Sequence, residues 1–184
     1  MFHRSERLLL RPVFEEDWPE IYQGINDESV VRMLASAPWP YREEDAREFA
    51  ARNFDPMRPR LLVTLPGDFG AQVIGCIGFG EEQDGPEFGY WIARPFWGRG
   101  FATEAGRALV AIARMLGYRT LQAGHAVDNP ASGRVLRKLG FRPTGEVRSQ
   151  FSKGRGEETP VARYVNEIAM AGGVFGPSDM PKAA

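Results

Sequence analysis

A chain of 184 residues with 43% hydrophobic and 26% charged side chains and a formal net charge of -1 has the size and make-up of one folded domain. That balance gives no overall attraction to nucleic acid or anionic lipid. A single cysteine, Cys76, excludes an internal disulfide and points to a reducing compartment, and with two distant histidines, His3 and His125, it offers no zinc-ligand spacing.

The first residues, Met1 to Glu6, lack the apolar stretch of a signal peptide. No run reaches the roughly 18 apolar residues of a membrane span. The expectation is a cytoplasmic protein with no membrane partner. Residues 7–12 (RLLLRP) read as a strand. Asp17, as N-cap ahead of Pro19, opens a helix with Trp18, Ile21, Tyr22 and Ile25 on one face. A second short helix is expected over 27–34. Two prolines make 37–41 a loop. A third helix, 43–53, places Ala46, Phe49 and Ala50 together and is stopped by Pro56 and Pro59.

The period then changes. Strands are expected at 61–65, 72–79 and 87–92, separated by turns at 66–68 and 84–86, so these neighbours should be antiparallel. Helix 101–116 carries Ala105, Leu109, Ile112 and Leu116 at helical spacing and ends at Gly117. Strand 121–127 follows, which makes it parallel to 87–92 through a right-handed crossover. Asn129 and Pro130 start a helix to Leu139, capped by Gly140. A last strand is expected at 161–169, with 171–184 fraying. The fold class is α/β (α+β): one domain over 1–170 with a mixed, mostly antiparallel sheet and one central parallel pair.

The segment 92–105, I-A-R-P-F-W-G-R-G-F-A-T-E-A, joins a strand to a helix through two glycines. The first N–H groups of a helix have no intrahelical acceptor, and the helix dipole adds positive charge there. Glycines let a ligand approach the backbone, so the segment suits a pyrophosphate. A tight turn with no ligand would use the same glycines. A Rossmann fingerprint would need glycine where Thr103 stands and an acid closing the next strand, for which Asp128 is too late. No Gly-Lys-Ser/Thr follows, which excludes a Walker loop. A second segment, Asp128 to Ser132, ends the parallel strand, so both helix starts lie at one sheet edge. Asn129 and Ser132 share a helix face, although helix capping alone also accounts for Asn129.

The string F-W-G-R-G-F-A-T-E-A, followed about thirty residues on by D-N-P-A-S-G-R-V-L-R-K-L-G-F, resembles the GNAT acetyltransferases. It is closest to the branch that includes the N-terminal acetyltransferases of ribosomal proteins. E-R-L-L-L-R-P and G-Y-W-I resemble that branch too, and the likeness spans about residues 5–170. Pro95 stands where the superfamily usually has Gln or Arg.

The resemblance implies a central strand pair splayed around the cofactor, helices on both faces, and acetyl-CoA as co-substrate with no metal. It assigns the pantetheine to the backbone of Trp91, Ile92 and Ala93. Pro95 to Ala102 would hold the pyrophosphate, giving Trp97, Gly98, Arg99, Gly100, Phe101, Ala102 and Thr103 as the loop's cofactor set. Asn129 would touch the pantetheine and Ser132 the sulfur. The acetyl group would pass directly to a primary amine, either a protein N-terminus or a small molecule.

Such a reaction needs a neutral amine, donors for the oxyanion and a stabilised thiolate. A backbone N–H on strand 87–92 suits the oxyanion. Ser132 is the candidate for the thiolate. Glu87 is the candidate base, with Glu81, Glu82, Glu157 and Glu158 as alternatives. His125 reads as a packed histidine, and Glu104 as a carboxylate favoured at a helix start. Trp39, Tyr41 and Phe151 would wall the amine pocket, between 26–42 and the loop before the last strand. A CoA-binding sensor without transfer activity is the alternative. A nucleic-acid module, prompted only by Arg94, Arg99 and Arg107, is not expected. Monomer and homodimer both remain open.

Overall fold

The computed structural model describes residues 1–68, 70–82 and 85–168. The ends expected at Ala169 and for the tail 171–184 lie outside these residues, as do Asp84 of the expected turn and the side chains of Glu81 and Glu82.

The chain runs β1 (His3–Arg4), β2 (Leu9–Pro12), α1 (Trp18–Ile25), α2 (Glu28–Val31), α3 (Glu43–Ala50), β3 (Arg60–Gly67), β4 (Gly70–Glu82), β5 (Gly85–Ile92), α4 (Phe101–Met115), β6 (Thr120–Ala126), α5 (Pro130–Lys138), β7 (Arg142–Ser152) and β8 (Glu157–Glu167). These strands form one sheet in the order β1-β2-β3-β4-β5-β6-β8-β7. Only β5 and β6 run parallel; every other neighbouring pair is antiparallel.

Strand side chains alternate between the two faces, and each face has its own core. Leu61, Val63, Phe88 and Ile92 pack with Leu109 and Ile112 of α4. Leu62, Trp91 and Ala93 pack with Ile21, Val31 and Ala46 from the first three helices. Leu109 is fully buried, so its truncation to alanine should cost about 2–5 kcal/mol. The parallel pair is thereby held between two packed layers.

Several expectations are corrected. Asp17 precedes α1, but its side chain caps nothing there; it forms a two-pronged pair with Arg11 and accepts the Phe14 N–H. The first long strand begins at Leu9 rather than at 7, the second helix is a single turn, and the third stops at Ala50. The largest miss is β7, expected to be loop. It is an edge strand, exposed along nearly its whole length. It therefore carries no apolar alternation, and Pro143 and Gly145 mimic loop chemistry.

Candidate active site

β5 and β6 are paired only at Glu87↔Gln122 and Phe88↔Ala123, yet β5 runs on to Ile92 and β6 to Ala126. Beyond Phe88 the two strands diverge. The Ala93 N–H donates to the Ile74 carbonyl on β4 at 2.9 Å. Backbone groups alternate sides along an antiparallel strand. Ala93 and Trp91 therefore face β4, while Ile92 and Tyr90 face the gap. Of Trp91, Ile92 and Ala93, the residues expected to pair with the pantetheine, Ile92 is the one whose backbone faces the gap. The Trp97 indole N–H donates to the Ile92 carbonyl at 2.6 Å.

The gap opens onto the start of α4. Gly98 and Gly100 have φ of 74° and 81°, a region costly for residues with a Cβ. The loop is tied down from the N-terminal segment. Glu104, in the first turn of α4, accepts from Ser5 Oγ, Arg7 N and Arg7 Nε at 2.7, 2.7 and 2.8 Å. Arg7 also donates to the Arg99 carbonyl at 3.1 Å and covers the Phe101 ring at 4.5 Å. Burial works against the ionised Glu104, but the bonds from Ser5 and Arg7 outweigh it and hold the carboxyl below its ordinary range. Glu104 thus does more than favour a helix start. Arg94 and Arg99 lie over the loop aromatics Trp97, Phe96 and Phe101.

The second helix start lies across the gap. Asn129 Oδ1 accepts the Ser132 N–H at 3.2 Å, so the residue does cap α5. Ser132 Oγ accepts from the Tyr90 hydroxyl at 3.2 Å. Tyr90 was not among the expected site residues. The alternation of strand 87–92 carried the signal, because Phe88, Tyr90 and Ile92 share the face toward α4.

On the opposite face of β5, Glu87 Oε1 accepts from Arg163 Nη1 at 2.7 Å, and the arginine side chain is only 6% exposed. His125 is half-buried, with Nδ1 2.8 Å from the Ala126 carbonyl and Nε2 3.4 Å from the Tyr164 hydroxyl. Burial pushes the Cys76 thiol up to about 12; it keeps its proton and is no nucleophile.

A cavity of about 920 Å³ joins these parts, lined among others by Gly98, Gly100, Asn129, Ser132, Tyr90 and Glu87. Of the aromatics expected on the amine side, Tyr41 lines it and is buried, its phenol pushed by that burial up to about 12. Trp39 and Phe151 are 39% and 54% exposed and lie outside the lining. On that side the cavity is also lined by residues at the turn between β7 and β8. Ser152 Oγ donates to the Leu34 carbonyl, Lys153 N to the Ala35 carbonyl, and Arg155 Nε to the Arg32 carbonyl. Arg155 also grips both Asp128 oxygens at 2.8 and 2.9 Å. Nothing local in the sequence marked Arg155 or Arg163.

Among the described residues no group of His, Cys, Asp and Glu is placed to hold a metal, and no helix is long and apolar enough to cross a membrane.

A mixed sheet that splays at the β5–β6 pair, with two helix starts and a glycine loop at the opening, is the arrangement that the resemblance to coenzyme A-dependent acyltransferases implies. The family model described as the acetyltransferase (GNAT) domain matches residues 7–142. The chain is 33% identical over 160 residues to the uncharacterized N-acetyltransferase p20 of Bacillus licheniformis, covering 82% of this chain and 88% of that one. Among solved structures it resembles RimL, the ribosomal L7/L12 α-N-protein acetyltransferase in complex with coenzyme A (TM-score 0.73, 21% identity, 91% and 98% of the chains covered). It also resembles spermidine N-acetyltransferase from Vibrio cholerae with CoA and spermine (TM-score 0.72, 22% identity, 90% and 98% covered). The chain belongs to the GNAT acetyltransferase family and is an acetyl-CoA-dependent N-acetyltransferase.

Proposed function

We propose that the acetyl group passes directly from acetyl-CoA to a primary amine at the splayed end of β5 and β6, with Ser132 and Glu87 serving the transfer. The observation that carries this is the divergence of the two strands after Phe88↔Ala123, with Ser132 and the glycine loop lining one cavity. The residues fit acetyl-CoA. Ile92 presents a backbone N–H and C=O to the gap, and its carbonyl, having two lone pairs, can accept a pantetheine amide beside the Trp97 indole. Gly98, Gly100 and the first N–H groups of α4, at Ala102 and Thr103, suit the pyrophosphate. Asn129 uses Oδ1 in its cap, which leaves its NH2 to donate to the pantetheine.

The thioester carbonyl is the electrophile. The Tyr90 and Ile92 N–H groups are the strand donors available to its oxygen. Ser132 hydrogen-bonds the leaving sulfur. Glu87 meets the incoming amine, and the buried Arg163 fixes its orientation. RimL and spermidine N-acetyltransferase represent two acceptor types, a protein α-amine and a polyamine, and the acceptor here is a primary amine of a protein N-terminus or of a small molecule.

Release of coenzyme A thiol with Ala- and Ser-starting peptides, polyamines and aminoglycosides tests the reading. Release that depends on a particular amine supports it. Acetyl-CoA binding without amine-dependent release would leave a CoA-binding sensor.

A further inference from the structure

We propose that Tyr90 is the positioning residue for Ser132: its hydroxyl donates to Ser132 Oγ and so directs the serine's own hydrogen to the acetyl-CoA sulfur. The inference rests on the role of Ser132 given above and adds the residue that makes that hydroxyl a directed donor.

The two oxygens are 3.2 Å apart, and both residues line the cavity. A hydroxyl pair shares one hydrogen bond, and the phenol, the more acidic of the two, is the better donor. Serine in a helix interior commonly gives its hydrogen to a carbonyl one turn back. Ser132 lies in the first turn of α5, where the Asn129 carbonyl behind it already accepts the Ser132 backbone N–H at 3.2 Å, while Ser132 Oγ is engaged by Tyr90. With one lone pair holding the Tyr90 hydrogen, the serine hydrogen points away from Tyr90. A hydroxyl that accepts one bond is polarised toward donating another.

Tyr90 is itself anchored. Its ring packs 5.9 Å from that of Phe88, which packs 5.4 Å from that of Phe141. Burial raises the Tyr90 pKa, against a smaller opposing effect of the Ser132 bond. The phenol therefore keeps its hydrogen throughout the physiological range.

In the transfer, a C–N bond forms and the C–S bond breaks, and the latter's electron pair moves to sulfur. The surplus proton on nitrogen passes to Glu87 or to water, and the departing thiolate takes a proton from water. Ser132 donates a hydrogen bond as charge gathers on sulfur and retains its proton, so the serine needs no resetting, and a proton taken up by Glu87 returns to water before the next turnover. An interaction that strengthens as charge develops acts on turnover rather than on binding.

The test is a double-mutant cycle on the full chain with Tyr90→Phe, Ser132→Ala and the pair, reading kcat at saturating amine, acetyl-CoA affinity by calorimetry, and melting temperature. Ser132→Ala should lower kcat by about 10- to 100-fold. Tyr90→Phe should lower it by about threefold to tenfold, the worth of one neutral hydrogen bond, with acetyl-CoA affinity within about threefold. The double variant should turn over like Ser132→Ala alone. If Tyr90→Phe is as damaging without the serine as with it, or harmless in a protein where Ser132→Ala is slow, the proposal falls while the role of Ser132 stands. If Ser132→Ala turns over normally, that role falls first and the proposal with it. Should Tyr90→Phe melt early, the cycle run below that temperature still decides, because single and double variants share the packing defect.

Discussion

Arg7 and Glu104 lie 97 residues apart in sequence and meet at 2.7 Å, at the first turn of α4, beside the loop proposed to hold the pyrophosphate. The N-terminal segment thus fixes the loop to which cofactor binding is assigned. The same guanidinium reaches the Arg99 carbonyl, so an acceptor within the loop is satisfied by the protein and does not confront a phosphate.

Arg7→Ala should therefore raise the KM for acetyl-CoA by about five- to tenfold and change kcat little. Hydrogen bonds to a charged group are worth about 1.5–3 kcal/mol, and Arg7 is partly exposed, which reduces that. Steady-state kinetics with acetyl-CoA varied at fixed amine checks it. A fall in kcat alone would show that the clamp acts on the chemistry instead.

The acid side of the cofactor-affinity profile follows from Glu104, whose carboxyl is held below its ordinary range. A depressed folded-state pKa gives stabilisation that is present above the unfolded value, about 4.3 for glutamate, and is lost as pH falls through the folded value. Acetyl-CoA affinity should hold above that range and drop below it. In Glu104→Gln the affinity should be weaker at neutral pH and its acid limb shallower. Calorimetry across pH on both proteins checks this.

At the alkaline end the acceptor sets the profile. Direct attack needs a neutral amine, so kcat/KM should rise with pH through a midpoint at about 7.7–8.0 for an α-amine, or about 10.4 for a lysine-like alkylamine, and level off above it. The midpoint separates the two acceptor types. Glu87→Gln should lower kcat more than acetyl-CoA affinity. It should also cost about 1–3 kcal/mol of stability, because the buried Arg163 loses its charged partner. Normal turnover in a variant with a lowered melting temperature would leave Glu87 a structural partner of Arg163.

The turn between β7 and β8 is expected to act on the amine side. Arg155→Ala removes both bonds to Asp128 and the one to the Arg32 carbonyl. The KM for the amine should rise more than that for acetyl-CoA. The melting temperature should fall by about 2–8 °C, the shift that about 1–2 kcal/mol produces in a chain of this size. Equal changes in the two KM values would show that the turn supports the whole sheet.

The parts that could be read in the sequence were those whose signal is local. Helix α4 has apolar residues at helical spacing, and Gly98, Gly100, Asn129 and Pro130 are residues whose backbone preferences define the two helix starts. The β-α-β crossover followed from element order alone. What escaped depends on contacts between distant segments. The bond between Arg163 and Glu87 joins residues 76 apart, and that between Arg155 and Asp128 joins residues 27 apart, so no periodicity carries either. β7 escaped because an edge strand exposed on both faces shows none of the alternation that burial imposes. That the Ala93 backbone faces β4 rather than the gap could not be read from the sequence, because it depends on the β4 register. Tyr90 was within reach, two residues from Phe88 on the face that α4 covers.

The most direct test is calorimetric titration of acetyl-CoA into the native chain and into Gly100→Val. Gly100 has φ 81°, and a Cβ there would meet only Arg7 Nη2, at an ordinary 3.5 Å. The obstacle is therefore conformational: a β-branched residue disfavours the left-handed backbone by about 1–3 kcal/mol, and the loop must leave that geometry or bear the strain. The native chain should bind acetyl-CoA, and Gly100→Val should bind it at least about tenfold more weakly while still melting cooperatively. Unchanged affinity in a folded Gly100→Val protein would contradict the placing of the pyrophosphate on this loop.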